Sequence, residues 1–124
     1  MEEETKRWLE QAERDFKSAQ NNFNNADYYV ASLLCQQSVE KGLKAPYLKK
    51  FKEIKRIHNL VVLAKDLKLP KKLIDKCDRL NPIYIDARYP DASGDMPHKK
   101  YTEDKSQEDI KLAEDILKWI KKKI

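Results

Sequence analysis

The sequence predicts a single all-helical domain over residues 1–124, and two features of it favour helices. Only two glycines and five prolines interrupt a chain that is rich in lysine, glutamate, leucine and alanine. Apolar residues recur every three or four positions, and no segment shows the alternation typical of a β-strand. The chain is long enough to bury one modest core, and it contains no repeat.

The first two predicted helices carry the clearest apolar spacing. The first spans residues 3–22, and its stripe consists of Trp8, Ala12, Phe16, Ala19 and Phe23. The second spans residues 26–45 and is apolar on more than one side, so we expect it to be the central helix. We expect a kink or an end at Pro46, because proline lacks a backbone donor and disfavours helical geometry at Ala45.

Two more helices are expected in the middle of the chain. A short helix should span residues 58–67, where apolar residues share one face. A longer helix should span residues 70–87, because apolar residues repeat at spacings of four and three throughout it. Pro82 lies inside that pattern, which predicts a kink near Asn81 rather than two separate helices.

Residues 88–101 are predicted to form a loop, followed by the last helix. The loop contains two prolines, a glycine and mixed charges, and long loops in compact domains often carry function. The last helix should begin near Thr102 or Ser106 and continue to the end of the sequence.

The charge and the cysteines limit the class of protein. The formal net charge of +5 suits a nucleotide or nucleic-acid ligand, or it reflects a lysine- and glutamate-rich surface that keeps the protein in solution. Cys35 and Cys77 have no CxxC partner and are interpreted as buried thiols in a reducing compartment. The acidic N-terminus does not resemble a signal peptide, and no apolar run is long enough for a membrane span. We therefore expect a cytoplasmic protein without membrane contact.

No standard catalytic motif is present. The sequence lacks the Walker, GxGxxG, HExxH, GxSxG and EF-hand patterns, and we expect neither a metal nor a cofactor. The two histidines are His58 and His98. His58 is interpreted as a helix cap or a packed ring. His98 lies in the long loop, where it is either idle or a general acid or base.

Two groups of polar residues are candidates for a binding site. Gln37, Glu40, Lys41 and Lys44 share one face of the second helix, which is either an ordinary exposed face or a ligand site. Arg88 offers a planar fork of donors suited to phosphate. The neighbouring Tyr84 and Tyr89 can stack on a base or cap the core. Alternatively, Arg88 pairs with Asp86, Asp91 or Glu40 while the tyrosines pack.

These residues resemble the HEPN family, the helical domains named for nucleotide binding in higher eukaryotes and prokaryotes. Residues 37–45 are similar to the family's QAxEKxLKA helix, and residues 58–60 are similar to its H-x-L segment. Tyr84 with residues 88–91 resembles its Y…RYPD segment, and Trp8 with Ala12 and Asp15 resembles its first helix. These segments occur in the order typical of the family. The resemblance covers nearly the whole chain.

The resemblance implies a fold, partners and, for some members, an activity. The fold would be an up-and-down bundle of four to five helices, similar to the C-terminal domain of kanamycin nucleotidyltransferase. The protein would form a homodimer, bind a nucleotide or RNA, and pair with a minimal nucleotidyltransferase in a toxin–antitoxin-like system. Some members are metal-independent ribonucleases with an Arg-x4–6-His motif.

Two functions follow from this resemblance. In the first, a non-catalytic domain binds a nucleotide or RNA through Gln37, Glu40, Lys41, Lys44, Tyr84, Arg88 and Tyr89. In the second, a ribonuclease uses Arg88 to hold the phosphate and His98 as the acid or base, although nine residues separate them here. A structural dimer without a ligand is a third interpretation.

Overall fold

The computed structural model describes residues 2–92 and 94–124, and every regular element in these residues is a helix. The helices are α1 (Glu3–Asn24), α2 (Tyr28–Phe51), α3 (Leu60–Asp66), α4 (Lys71–Leu80), α5 (Ile83–Asp86), α6 (Pro97–Lys100) and α7 (Glu103–Lys123). The predicted all-α bundle is confirmed. It has more elements than expected because two of them are single turns.

The core lies between α1, α2 and α7. The turn at residues 25–27 joins α1 to α2, and the two helices pack along most of their length. Small residues allow this close approach: the hydroxyl of Ser38 donates to the carbonyl oxygen of Ala12 at 2.6 Å. Gly42 lies against Leu117 and Ile120 of α7, so the predicted central position of α2 is confirmed.

The predicted end of the second helix at Ala45 is wrong, because α2 continues through Pro46 to Phe51. Proline removes only the bond that its own nitrogen would donate to the carbonyl of Gly42. The helix beyond it is stabilised by packing: Tyr47 is buried, and its hydroxyl donates to Asp66 of α3 at 3.1 Å. The helix ends at Lys52, which adopts a left-handed conformation with φ of 60°.

The predicted kinked helix at residues 70–87 is two helices, α4 and α5, separated by Asn81 and Pro82. The fourth helix therefore ends earlier than expected. The third helix begins at Leu60 rather than His58, because Asn59 caps it and its side chain accepts hydrogen bonds from the backbone of Val61 and Val62.

The predicted loop at residues 88–101 contains the short helix α6. Thr102 caps α7 by accepting a hydrogen bond from the backbone N–H of Lys105 at 3.2 Å, which confirms the first of the two predicted starts. Ser106 instead lies inside α7, where its hydroxyl donates to the carbonyl oxygen of Tyr28. Cys35 and Cys77 are buried, free thiols, as expected. None of the helices described is long and apolar enough to cross a membrane.

Candidate functional site

The predicted polar face of α2 divides into buried and partly exposed residues. Glu40 and Lys44 are buried, with side chains only 6% exposed, and they form an ion pair of 2.9 Å. Lys41 turns toward α1 and pairs with Asp15 at 2.6 Å. Gln37 remains partly exposed. The face is therefore not an ordinary solvated surface.

Glu40 is the centre of a buried polar cluster. Its carboxylate accepts a hydrogen bond from Gln36 Nε2 at 3.2 Å. Both of its oxygens lie within hydrogen-bond distance of His58 Nδ1, at 3.0 and 3.1 Å. Gln37 in turn donates to Gln36 Oε1 at 2.7 Å. A buried carboxylate needs such partners, because desolvation of an unpaired charge is costly.

Two asparagines position His58 in this cluster. The side chain of Asn81 accepts a hydrogen bond from the backbone of Leu60 at 2.8 Å and donates to Asn59 Oδ1 at 3.2 Å. The start of α3 is thereby joined to the junction between α4 and α5. His58 therefore lies next to Tyr84 on α5, with 4.0 Å between the ring centroids and 41° between the planes.

Arg88 completes a layered arrangement at the surface. Its guanidinium carbon lies 4.4 Å from the centroid of the Tyr84 ring and 5.6 Å from that of Tyr89. The alternative ion pairs expected from the sequence do not form, because Asp86 pairs with Lys100 at 2.9 Å and Glu40 is occupied by Lys44 and His58. Within residues 2–92 and 94–124, Arg88 has no carboxylate partner, so its donors face solvent.

The cluster therefore runs from Glu40 through His58 and Tyr84 to Arg88. It contains one buried anion, one half-exposed imidazole, one aromatic ring and one exposed cation. Such an arrangement can bind a phosphate at Arg88 and can stack a base near the tyrosines.

His98 lies outside this cluster. It is exposed on α6 and makes no hydrogen bond or ring contact with Arg88 or with any other described residue. Sequence reasoning assigned no site role to His58, Gln36, Asn59 or Asn81. His58 belongs to the segment that resembles H-x-L, but the local sequence pattern does not predict its hydrogen bond with Glu40. No group of three or more His, Cys, Asp and Glu side chains within the described ranges is placed to hold a metal ion.

Comparison with known proteins identifies the family. The model of the HEPN domain family matches residues 5–124, so the chain belongs to the HEPN domain family. A search of curated protein sequences gives no match.

Solved structures that are similar to the chain include the following three. TT1696 from Thermus thermophilus is 29% identical with a TM-score of 0.92, and the match covers 99% of this chain and 100% of that one. ST0689, described as an archaeal HEPN homologue, is 31% identical with a TM-score of 0.83, over 99% and 98% of the two chains. An HEPN domain protein from Thermotoga maritima, tm0613, shares the fold at 20% identity with a TM-score of 0.72, over 94% and 95%.

Proposed function

We propose that the chain is a nucleotide- or RNA-binding domain that also binds protein partners and works with a minimal nucleotidyltransferase in a toxin–antitoxin-like pair. The observation that carries this proposal is the layered cluster of Glu40, His58, Tyr84 and Arg88. It presents an unpaired guanidinium beside exposed aromatic surface, and the buried ion pair beneath fixes its geometry.

The chemistry of the cluster suits a nucleotide phosphate. The guanidinium of Arg88 can donate two parallel hydrogen bonds to phosphate oxygens. Tyr89 is exposed beside it and offers a face on which a base or ribose can lie. Gln37 reaches the cluster through Gln36, whereas Lys41 is held by Asp15 on α1. Glu40 and Lys44 support the site from below rather than contacting the ligand.

Self-association is the second part of the proposal. Ile85, Tyr89 and Met96 are large hydrophobic side chains that remain exposed in the segment of the chain that contains Arg88. Exposed apolar side chains concentrated in one segment favour a protein contact there. We assign this segment to the homodimer, while the nucleotidyltransferase partner rests on membership of the HEPN family.

The binding test compares Arg88→Ala with Arg14→Ala. Arg14 is exposed on α1 and makes no ion pair with any described residue, so the two variants remove the same charge. Fluorescence anisotropy with labelled nucleotides and RNA at fixed salt should show binding weakened about tenfold or more by Arg88→Ala, because a charge-assisted hydrogen bond contributes about 1.5–3 kcal/mol. Arg14→Ala should change it little. Equal effects of the two variants would contradict the assignment.

The partner test is co-expression with a candidate minimal nucleotidyltransferase that carries the only affinity tag. The chain should elute with the tagged protein in a fixed ratio. If the two proteins separate during size-exclusion chromatography, the pairing is wrong, whereas the nucleotide assignment is unaffected.

A metal-independent ribonuclease is the second candidate, favoured by the contact of His58 and Arg88 with the same tyrosine ring. A carboxylate that holds one imidazole nitrogen leaves the other free to act as a general base. The geometry thus favours His58 over His98 as the acid or base of this candidate.

Cleavage of labelled RNA in excess EDTA tests this candidate. Wild type should cut and Arg88→Ala should not. Of His58→Ala and His98→Ala, the variant that loses cleavage identifies the acid or base. If wild type is inert, or if all four proteins cut equally, the ribonuclease candidate is wrong.

A further inference from the structure

A second basic surface surrounds Trp119, away from the cluster at Arg88. Trp119 on α7 lies between two shallow depressions with volumes of about 530 and 420 Å³. Eight lysines line them. Lys76 is paired with Asp115, and Lys118 is paired with Glu114. The other six are exposed. We call these residues, together with Trp119, the lysine surface: Lys49, Lys50, Lys68, Lys72, Lys122 and Lys123. The lysine surface shares no residue with the cluster.

The lysine surface is not neutralised by carboxylates. None of its six lysines makes a salt bridge with another residue in the described part of the chain. The larger depression has no acidic lining residue, and the smaller one has only Asp115. Asp115 is already paired with Lys76 at 2.7 Å and with Lys111 at 3.1 Å. Lys50 lies close enough to Asp66 for a favourable electrostatic interaction, but no carboxylate in the described chain forms a salt bridge with any of the six lysines. The lysine surface therefore carries an excess of positive charge.

Stability of the fold explains only part of this pattern. Lysines at the ends of α2 and α7 interact favourably with the negative end of each helix dipole. Lys72 lies instead in the first turn of α4, where a cation is unfavourable, and that turn contains no acidic residue. Lys68 follows Leu67, the C-cap of α3, so it lies at the favourable negative end of that helix. Lys72 is thus the lysine of this surface that a helix dipole disfavours.

Trp119 adds a flat aromatic face to this charge. Its side chain is partly buried, so its position is fixed while part of the ring remains accessible. Lys123 Nζ lies 5.7 Å from the ring. An aromatic platform flanked by lysines is the arrangement that binds single-stranded nucleic acid, because a base stacks on the ring while phosphates follow the cations.

We propose that the lysine surface binds single-stranded RNA, with phosphates along the lysines and one base on Trp119. This inference extends the proposed RNA binding to a second surface, so the experiment has to separate the two sites.

The test is fluorescence anisotropy with labelled polyuridine across a range of salt concentrations. The test variant combines Lys49→Gln, Lys68→Gln and Lys122→Gln. A charge-matched control combines Lys6→Gln, Arg14→Gln and Lys17→Gln, which replace exposed basic residues of α1 that form no salt bridge within the described chain. Circular dichroism checks that both variants keep their helices.

The expected result is at least tenfold weaker binding by the test variant at low salt. The slope of log affinity against log salt should also fall by about 2, since each lost phosphate contact removes about 0.7. The control should lose much less affinity. Equal losses would show a general charge effect and would overturn the proposal.

Tryptophan fluorescence supplies a second readout. In a Trp8→Phe background, Trp119 is the remaining tryptophan. RNA should quench it at the concentrations that saturate anisotropy. If polyglutamate binds as tightly as RNA does but leaves the fluorescence of Trp119 unchanged, the surface binds an acidic protein ligand. That result would overturn the RNA proposal.

Comparison with Arg88→Ala separates the two sites. If wild type binds RNA and only Arg88→Ala weakens it, the lysine surface is wrong and the proposed function stands. If only the test variant weakens RNA binding, the proposed RNA binding at the lysine surface is supported and the assignment of RNA to Arg88 is wrong. If wild type binds no RNA, the lysine surface is wrong, whereas nucleotide and partner binding are judged by their own tests.

Discussion

At the scale of single residues, Glu40 fixes the candidate site. Its buried carboxylate meets Lys44, Gln36 and His58 at the same time. The ion pair with Lys44 lies within α2, while the histidine links α2 to the ring of Tyr84. Removing the carboxylate should therefore affect both stability and the site.

Glu40→Gln should lower the free energy of unfolding by about 3 kcal/mol, because Lys44 would remain buried without a compensating charge. Urea denaturation followed by circular dichroism measures this loss. Glu114→Gln is the control: Glu114 is paired with Lys111 and Lys118 at a more exposed position, where the loss should stay below about 1 kcal/mol. Similar losses in both variants would contradict the structural role of Glu40.

The two thiols should be unreactive in the folded protein. Burial raises the pKa of Cys77 to about 12 and raises the pKa of Cys35 as well. Because the thiolate is the reactive form, alkylation by iodoacetamide at pH 8 should be slow in buffer and fast in denaturant. Mass spectrometry counts the modified thiols. Rapid modification of native protein at either cysteine would show that its surroundings open frequently.

The sequence pattern places Glu40 and Lys44 on one face of α2, but it does not predict that both are buried. Glu40 and Lys44 are spaced as an i,i+4 pair, and that spacing looks the same on an exposed face and in a core. His58 was assigned to a cap or a packed ring because its contacts with Glu40 and Tyr84 come from distant parts of the chain. Local spacing identified the residue types, while long-range packing determined their roles.

At the scale of elements, α7 approaches α2 closely at Gly42. A Cβ atom there would lie 2.9 Å from Leu117 Cδ2 and 3.3 Å from Ile120 Cδ1. Small residues recur along α2 at spacings of four, three, four and three, and this stripe predicts the close packing. It consists of Ala31, Cys35, Ser38, Gly42 and Ala45. The continuation of α2 through Pro46 could not be read from the same segment, because it depends on the contact of Tyr47 with Asp66.

Gly42→Leu should destabilise the fold by about 1–3 kcal/mol or more, because a large side chain would separate α2 from α7. Gly42→Ala is the matched control. Its gain in helix propensity of up to about 1 kcal/mol should offset a small shift of Leu117. Thermal and urea denaturation measure both. A leucine variant as stable as wild type would show that α7 does not pack against this position.

At the scale of the whole molecule, the helical class and the order of the main helices were predictable because apolar spacing is a local property. The division of α4 from α5 and the short helix α6 were not predicted, since both lie at prolines where packing decides between a kink, a break and a loop. The lysine surface was also missed. Its residues come from three separate parts of the sequence and meet only after folding.

The whole-molecule prediction concerns self-association. Light scattering coupled to size-exclusion chromatography should give a mass of about twice the 14.7 kDa of one chain. Ile85→Asp should shift the mass toward that of the monomer, because it places a charge within the exposed apolar segment formed by Ile85, Tyr89 and Met96. Phe51→Asp is the control, since Phe51 is another exposed large hydrophobic side chain but lies at the end of α2. If wild type is monomeric at micromolar concentration, the homodimer is wrong. If Phe51→Asp alone disrupts the dimer, the interface lies at the end of α2, away from Arg88.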